Sequence, residues 1–203
     1  GPWLESMHPR LAADQTALGE LLHLARDAAA NHLNGLAQHP AGRVMPPGDP
    51  REIDSVGVGA RAALLEFQER FAAGLTGSAG PRYWGFVTGG STPAALIGDW
   101  LAATYDQNAI GKTEPATVGV EREAIAMLRS LFGLSDAHSG LFVSGATQSN
   151  LVGLAIARQW AGAQHGVDVA TRGVGALPPT PVLSAIAHSS VYKALSILGL
   201  GRD

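Results

Sequence analysis

Residues 139–150, SGLFVSGATQSN, decide the fold of this chain. The apolar run 141–143 predicts a short buried strand, which breaks at the small residues 144–147. A helix-forming run over 151–160 follows at once. Such a strand–turn–helix junction directs unpaired backbone N–H groups and the positive end of the helix at one point, which suits an anion such as phosphate. Thr147 is predicted to add its hydroxyl as the N-cap residue.

A second segment of the same kind lies further along the chain. The run 182–187 predicts another buried strand, which leads through His188 into a helix over 189–198. Strands separated by helices indicate a parallel sheet with right-handed crossovers. Ligands in open α/β sheets bind at the carboxyl ends of the strands, so His188 and the Gly145 turn are predicted to share one edge. The alternative is that His188 only caps a neighbouring loop or helix.

Helices are predicted ahead of these strands. Apolar residues at helical spacing, with their start and stop signals, predict helices over 11–36, 51–74, 93–104 and 115–131. The aromatic run 82–88 is predicted to be extended, whereas glycine- and proline-rich stretches predict connections over 42–50 and 164–179.

The fold class predicted from this order is α/β. Two strands make a poor parallel sheet, because both faces and both edges need cover. We therefore expect the front part of a larger α/β domain over 81–203, preceded by a helical segment over 7–80. Residues 1–6 are expected to be a remnant of the expression vector.

Composition limits the classes of function. The chain has 203 residues, of which 46% are hydrophobic and 15% charged, as in a globular protein with a sizeable core. The net charge of −3 argues against a general nucleic-acid binder. The sequence has no cysteine for a disulfide or thiolate, and no apolar run of the roughly 18 residues that would cross a membrane. We expect a cytoplasmic protein with no nucleic-acid or membrane partner, and no metal site, because the histidines lack paired ligand spacing.

Three local patterns admit simpler interpretations. The turn 144–147 is neither a Walker loop nor a nucleophile elbow, and on its own it is also compatible with an ordinary tight connection. Residues 57–62, GVGARA, fit a dinucleotide fingerprint, but the charged stretch before them is no buried strand, so we predict a helix entry there. The aromatic residues Tyr83, Trp84 and Phe86 are compatible with either a core or a pocket.

Two of these segments carry a family resemblance. The stretch 142–151, FVSGATQSNL, resembles the phosphate-binding segment of the pyridoxal-phosphate-dependent group II amino-acid decarboxylases, which include the aromatic-amino-acid, glutamate and diaminobutyrate decarboxylases. Residues 187–194, AHSSVYKA, resemble their His-Ser-Ser-x-x-Lys-Ala segment. Weaker likenesses cover 81–86 with the following Gly90-Ser91, and 114–117 with Glu121.

The resemblance implies a fold of the aspartate-aminotransferase type (fold type I), an intertwined homodimer and an amino-acid substrate. Pyridoxal 5'-phosphate would be the cofactor, with its phosphate held at Gly145, Ala146 and Thr147. His188 would stack on the pyridine ring and assist proton transfer, which makes it the implied catalytic residue. The substrate pocket would include three further residues, Phe86, Val87 and Thr88. The loop 106–113 would help to shape that pocket or the pocket of a partner subunit.

The lysine count sets a limit on this resemblance. The chain contains two lysines, Lys112 and Lys193, and neither matches the family's Schiff-base lysine. The resemblance thus implies the N-terminal part of a carboxy-lyase, inactive alone and completed by further sequence or by a complementary C-terminal chain. Two alternatives stay open: a catalytically dead assembly or dimerisation module, and an aldolase or aminotransferase-type enzyme with the same cofactor and fold.

Overall fold

The computed structural model describes residues 7–45, 48, 52, 55–108 and 115–202, apart from the side chain of residue 115. The chain divides into two compact units, Gly1–Asp106 and Gln107–Asp203. The expected vector remnant at 1–6, Lys112 and most of the loop 106–113 lie outside the described residues. The predicted segment bounds 7–80 and 81–203 stay a prediction.

The first unit is built from helices. They are α1 (Pro9–Thr16), α2 (Leu18–Asn34), α3 (Ala60–Arg70) and α4 (Pro93–Tyr105), with single 3₁₀ turns at Leu36–Gln38 and Ala72–Gly74. Local chemistry fixes their starts. The Asp14 carboxylate accepts the Ala60 N–H at 2.9 Å, and the Thr92 hydroxyl accepts the Ala95 N–H at 3.2 Å. The predicted helix entry near residue 60 is confirmed, as is the helix that begins at Pro93.

Two helix predictions in this unit were wrong in extent. The helix predicted over 11–36 is broken at Ala17, whose φ of −89° and ψ of 9° leave the helical range. Of the helix predicted over 51–74, the described residues show α3 over Ala60–Arg70, and Gly59 before it has a φ of 84°, outside the helical range. The run 82–88 is not extended but turned, and Phe86 and Val87 adopt φ values of 55° and 59°.

The second unit contains the helices α5 (Pro115–Leu131), α6 (Ala146–Gln164), α7 (Val169–Arg172) and α8 (Ser189–Ile197), and a 3₁₀ turn at Val174–Ala176. The helices predicted over 115–131 and after His188 are confirmed. The connection predicted over 164–179 was incomplete, because Asp168 caps a short helix there by accepting the Ala170 N–H at 3.0 Å.

Helices α6 and α8 pack side by side and run parallel. At one end the Asn150 Nδ2 donates to the Ser190 Oγ at 2.8 Å, and at the other Arg158 donates to the Leu198 carbonyl at 3.0 Å. Each partner lies the same number of residues further along its own helix, so the axes share a direction. Buried residues of the described chain gather around this pair, among them Ala194, Leu195, Leu198 and Val169. Their burial out of water is the main stabilising contribution to this unit.

The predicted strands are absent from the described residues, so the α/β class is not seen as such. Segments 141–143 and 182–187 lie where strands were predicted, directly before α6 and α8, but they form no ladder. A strand is stable only when a neighbour accepts and donates its backbone hydrogen bonds. Here the Phe142 N–H donates instead to the Glu121 carboxylate at 3.3 Å, and Leu183 and Ile186 are 92% and 97% exposed.

Within the described ranges, no helix combines the length and the apolar character that a bilayer crossing requires.

Candidate functional site

The turn before α6 exposes the start of that helix. Gly145 is the N-cap residue, with extended backbone angles of φ 173° and ψ 169°. Thr147 is therefore the second residue of the helix, and its prediction as the N-cap was wrong. No side chain in the described part of the chain caps this end. Because the first N–H groups of a helix lack intrahelical acceptors, those of residues 146–148 remain available to a ligand.

Two features define this turn: its internal hydrogen bonds and the open space over Gly145. The Gln148 side-chain oxygen accepts hydrogen bonds from the backbone N–H of Ser144, at 3.2 Å, and from its hydroxyl. These bonds tie Ser144 to the first turn of α6. A Cβ placed on Gly145 would meet no other atom within 4 Å, so open space lies over the turn. The backbone angles at this position do not require glycine. The advantage of glycine here is that a ligand can approach the backbone closely.

A cleft of about 380 Å³ adjoins this turn. One wall is the turn with the first residues of α6, and the other is formed by α8. Its lining comprises residues 144–148, Leu151, Lys193, Ala194 and Ile197. The positive end of α6 and the Lys193 ammonium both favour a negatively charged occupant. The arrangement is that of an anion-binding cleft, whose charge comes from backbone dipoles and one lysine.

His188 is held at the start of α8. It is the N-cap residue, and its Nδ1 accepts the Ser190 N–H at 3.2 Å. The Ser190 Oγ lies 2.8 Å from the same nitrogen and also receives the Asn150 Nδ2 bond. His188 thus takes the capping role that the sequence left open as an alternative, and the cap fixes its ring. Since α6 and α8 are parallel, His188 and the Gly145 turn both lie at the N-terminal end of this pair. The sheet edge that they were predicted to share stays a prediction.

The three residues predicted near the substrate lie in the first unit. Phe86 and Val87 are 92% and 101% exposed. Both have positive φ, a conformation that costs energy for bulky and β-branched residues. The Thr88 hydroxyl donates to the Gly85 carbonyl at 3.1 Å, which closes the turn. The segment holds two apolar side chains out in solvent, and its role toward a substrate stays a prediction.

Sequence reasoning missed three contributors to the site. Asn150 and Ser190 were quoted only as parts of motifs, and Lys193 was set aside as the wrong lysine for a covalent bond. No local pattern reveals their roles, because each depends on how α6 and α8 align. Glu121 was noted only as part of a resemblance, whereas its carboxylate holds the backbone of Phe142.

Comparison with known proteins gives a family. The model of the pyridoxal-dependent decarboxylase conserved domain matches residues 56–201, which is more than half of the chain. The chain belongs to the pyridoxal-dependent decarboxylase family. The match includes the Gly145 turn, the Asn150–Ser190 link and His188, and it confirms the resemblance on which the sequence prediction was based.

Curated relatives agree with this family. The chain is 32% identical to the aromatic-L-amino-acid decarboxylase of Bacillus atrophaeus over 122 residues, 59% of this chain and 23% of that protein. It is 35% identical to the L-2,4-diaminobutyrate decarboxylase of Acinetobacter baumannii over 97 residues, 43% of this chain and 19% of that protein. The matched part therefore spans less than a quarter of either relative.

Solved structures extend the likeness to the fold. Oryza sativa TDC, crystallised with PLP and tryptamine, superposes with a TM-score of 0.71 at 21% identity, over 95% of this chain and 43% of that one. Mouse CSAD gives a TM-score of 0.66 at 24% identity, over 88% of this chain and 40% of the other. These likenesses show that the chain has the fold of the corresponding part of those proteins.

Proposed function

We propose that this chain is the N-terminal part of a pyridoxal-phosphate-dependent amino-acid decarboxylase, a carboxy-lyase. The observation that carries the proposal is the parallel pair α6–α8, which brings an open helix start and a fixed histidine to one end. Family membership and the names of the two curated relatives support the reaction class. The names of the two relatives refer to different amino acids, so the substrate proposed here is an amino acid of unspecified side chain.

The residues of the cleft fit the cofactor's phosphate. Available N–H groups at Ala146 and Thr147 would donate to its oxygens, and the exposed Thr147 hydroxyl would add a further donor. The open space over Gly145 would admit the phosphate close to the backbone. Lys193 would contribute positive charge from the opposite wall. Such charge-assisted hydrogen bonds are stronger than neutral ones, so they would carry most of the affinity for this group.

The chemistry that pyridoxal phosphate supplies when bound is electron withdrawal, which lets an amino-acid carboxylate leave as carbon dioxide. His188 would stack on the ring and hold a proton near the substrate carbon. Phe86, Val87 and Thr88 would contact the substrate, and the loop 106–113 would shape this or a partner's pocket. The lysine that holds the cofactor covalently would come from further sequence or from a complementary chain, within an intertwined homodimer.

We also propose that segments 141–143 and 182–187 pair as strands of an α/β large domain of fold type I. Their apolar side chains and their positions before two parallel helices support this. The cytoplasmic location stays a prediction.

A second function, an assembly module, has one supporting observation in the first unit. Side chains of α2 and α4 form an apolar cleft of about 310 Å³ whose lining includes Leu33, Ile97, Trp100 and Leu101. An exposed apolar surface of this kind is typical of contact with another protein surface. An aldolase or aminotransferase-type enzyme has no separate support.

The phosphate contact is tested by equilibrium dialysis of the chain with pyridoxal phosphate and with pyridoxal, which lacks the phosphate. We expect the phosphate ester to bind at least about tenfold more tightly, equivalent to about 1.4 kcal/mol. Gly145→Val should abolish this preference without unfolding the chain, because its side chain enters open space. Gly153→Ala, in the same helix and equally open, is the control. Equal binding of both compounds, or an unaffected Gly145→Val, would contradict the proposal.

The reaction class is tested by release of labelled carbon dioxide from carboxyl-labelled amino acids. The chain alone should release none, and the chain completed by its missing sequence should release it. After incubation with pyridoxal phosphate and gel filtration, with no reductant added, the chain should retain no imine absorbance. An imine that persists, and that substitution of Lys112 or Lys193 removes, would overturn the proposal that the covalent lysine lies elsewhere.

A further inference from the structure

A buried serine joins the cofactor turn's helix to the histidine. Ser190 is only 3% exposed, and it is a polar residue within the apolar contact between α6 and α8. Its Oγ lies 2.8 Å from Asn150 Nδ2 on one side and 2.8 Å from His188 Nδ1 on the other. A buried hydroxyl is costly unless it is hydrogen-bonded, and here both neighbours meet it at normal hydrogen-bond distance.

The direction of these hydrogen bonds follows from one fixed donor. The backbone N–H of Ser190 can only donate, and it points at His188 Nδ1 at 3.2 Å. His188 Nδ1 is therefore an acceptor that carries no proton. The Ser190 hydroxyl must then donate its own hydrogen to the same nitrogen, and its lone pairs accept from the Asn150 amide. The positive end of α8 lies beside Nδ1 and disfavours a proton there as well.

We propose that Asn150 and Ser190 are positioning residues that fix the ring orientation of His188 and place its proton on Nε2. This inference rests on the proposed role of His188 beside the cofactor and deepens it. A ring held by Nδ1 cannot rotate to exchange its nitrogens, so a single N–H group is presented away from the helix start. The orientation of a catalytic imidazole depends on the partner of its other nitrogen, and here that partner is a serine buried between two helices.

The test reads the ring nitrogens directly. The chain is labelled with ¹⁵N in its histidine rings, and long-range proton–nitrogen correlation spectra are recorded near pH 8.5, about two units above the ordinary histidine pKa. The His188 signals are those lost in His188→Gln. We expect an unprotonated, hydrogen-bonded Nδ1 and a protonated Nε2. A proton found on Nδ1 would overturn the proposal.

Variants then test the two positioning residues. Asn150→Asp keeps the shape but replaces the donor with an acceptor, so the Ser190 hydroxyl turns to the carboxylate and its hydrogen bond to Nδ1 is lost. The Ser190 backbone N–H still donates to Nδ1, so the Nδ1 signal should shift only part of the way towards its unbonded value, and the ring should lose its single orientation. Ser190→Ala should produce the same shift, and Ser190→Thr, which keeps the hydroxyl, should restore the parent signals. Ser196→Ala, on the exposed side of α8, is the matched control.

Two results separate this inference from the proposed function. Unchanged His188 signals in folded Asn150→Asp and Ser190→Ala would overturn the positioning role, even if pyridoxal phosphate binds the parent chain. If the His188 signals shift in these variants but the parent chain does not prefer pyridoxal phosphate over pyridoxal, the positioning role is supported and the proposed function is contradicted. If Ser190→Ala does not fold, Asn150→Asp alone decides, because it exchanges an amide for a carboxylate of the same shape.

Discussion

The helix pair α6–α8 and the two segments that lead into it differ in how their backbone hydrogen bonds are satisfied and in how much apolar surface they bury. The helices satisfy their backbone hydrogen bonds internally and bury Ala194 and Leu195 against each other. The segments 141–143 and 182–187 are apolar but largely exposed, because strands need neighbours to pair with. The site belongs to the first kind of region, since both its turn and its histidine are fixed by helix starts. The turn at Gly145 therefore forms without paired strands in the described residues.

The largest expected effect is in the contact between the two helices. Leu195 is 9% exposed, so Leu195→Ala should lower the free energy of unfolding by about 2–4 kcal/mol through lost burial and a cavity. Ile197→Ala, on the same helix at 71% exposure, should change it by less than about 0.5 kcal/mol. Urea unfolding followed by circular dichroism measures both. Equal losses would show that the buried contact does not stabilise the pair.

Two glycines of α6 sharpen the comparison within one helix. A Cβ on Gly162 would collide with Val169 Cγ2 and lie 2.6 Å from the Val167 carbonyl oxygen, so Gly162→Ala should destabilise by about 1–3 kcal/mol. Gly153 has nothing within 4 Å, so Gly153→Ala should stabilise by about 1 kcal/mol through helix propensity. Thermal unfolding of the two variants should therefore move in opposite directions. A stabilised Gly162→Ala would contradict the packing described here.

The cap of α7 should give a smaller, pH-dependent effect. The Thr171 hydroxyl, which donates to the Asp168 carboxylate at 2.6 Å, lowers the pKa of Asp168 below its usual value of 3.8. Desolvation opposes this shift, and the backbone N–H groups of Thr171 and Ala170 add to it. A carboxyl with a lowered folded-state pKa contributes stability above its unfolded pKa and loses it as the pH falls through the folded value.

The measurement for this cap is the urea midpoint of the parent and of Asp168→Asn between about pH 6 and pH 3, across the usual range of aspartate titration. The parent's advantage should be constant above about pH 5 and should shrink below the ordinary aspartate pKa. A difference that stays the same down to pH 3 would rule out the carboxylate as the source of the effect.

The smallest effect is expected in the exposed segment before α8. Ile186 is 97% exposed, so Ile186→Thr should change the free energy of unfolding by less than about 0.5 kcal/mol. Urea unfolding beside Leu195→Ala gives a direct comparison. A loss as large as that of Leu195→Ala would mean that the segment is packed or paired in solution, and the contrast between helices and segments would fail.

The sequence predicted the helices around the site because their signals are local. Proline at residue 93, the small-residue turn at 144–147 and His188 before a helix each act within a few residues. The strands could not be confirmed in the same way, because pairing depends on partners distant in sequence. The breaks at Ala17 and Gly59 were missed, since apolar spacing continues across both.

The site was predictable in part. Gly145 and Ala146 were found from the turn pattern, and His188 from its position after an apolar run. Predicting the Asn150–Ser190 link and the position of Lys193 in the cleft requires the alignment of α6 with α8, and residue spacing in the sequence does not give that alignment. Thr147 was predicted as a site residue but assigned two helical positions too early, because the boundaries of elements are the least certain part of any pattern.

The central claim is that the start of α6 would hold the phosphate of pyridoxal phosphate, and that His188, at the same end of the helix pair, would face its ring. The most direct measurement is a titration of the ¹⁵N-labelled chain with pyridoxal phosphate, followed through its amide signals, with pyridoxal as the comparison. We predict saturable shifts at the amides of residues 146–148 and at His188 that pyridoxal does not produce. Shifts confined to other residues, or equal shifts with both compounds, would contradict the account.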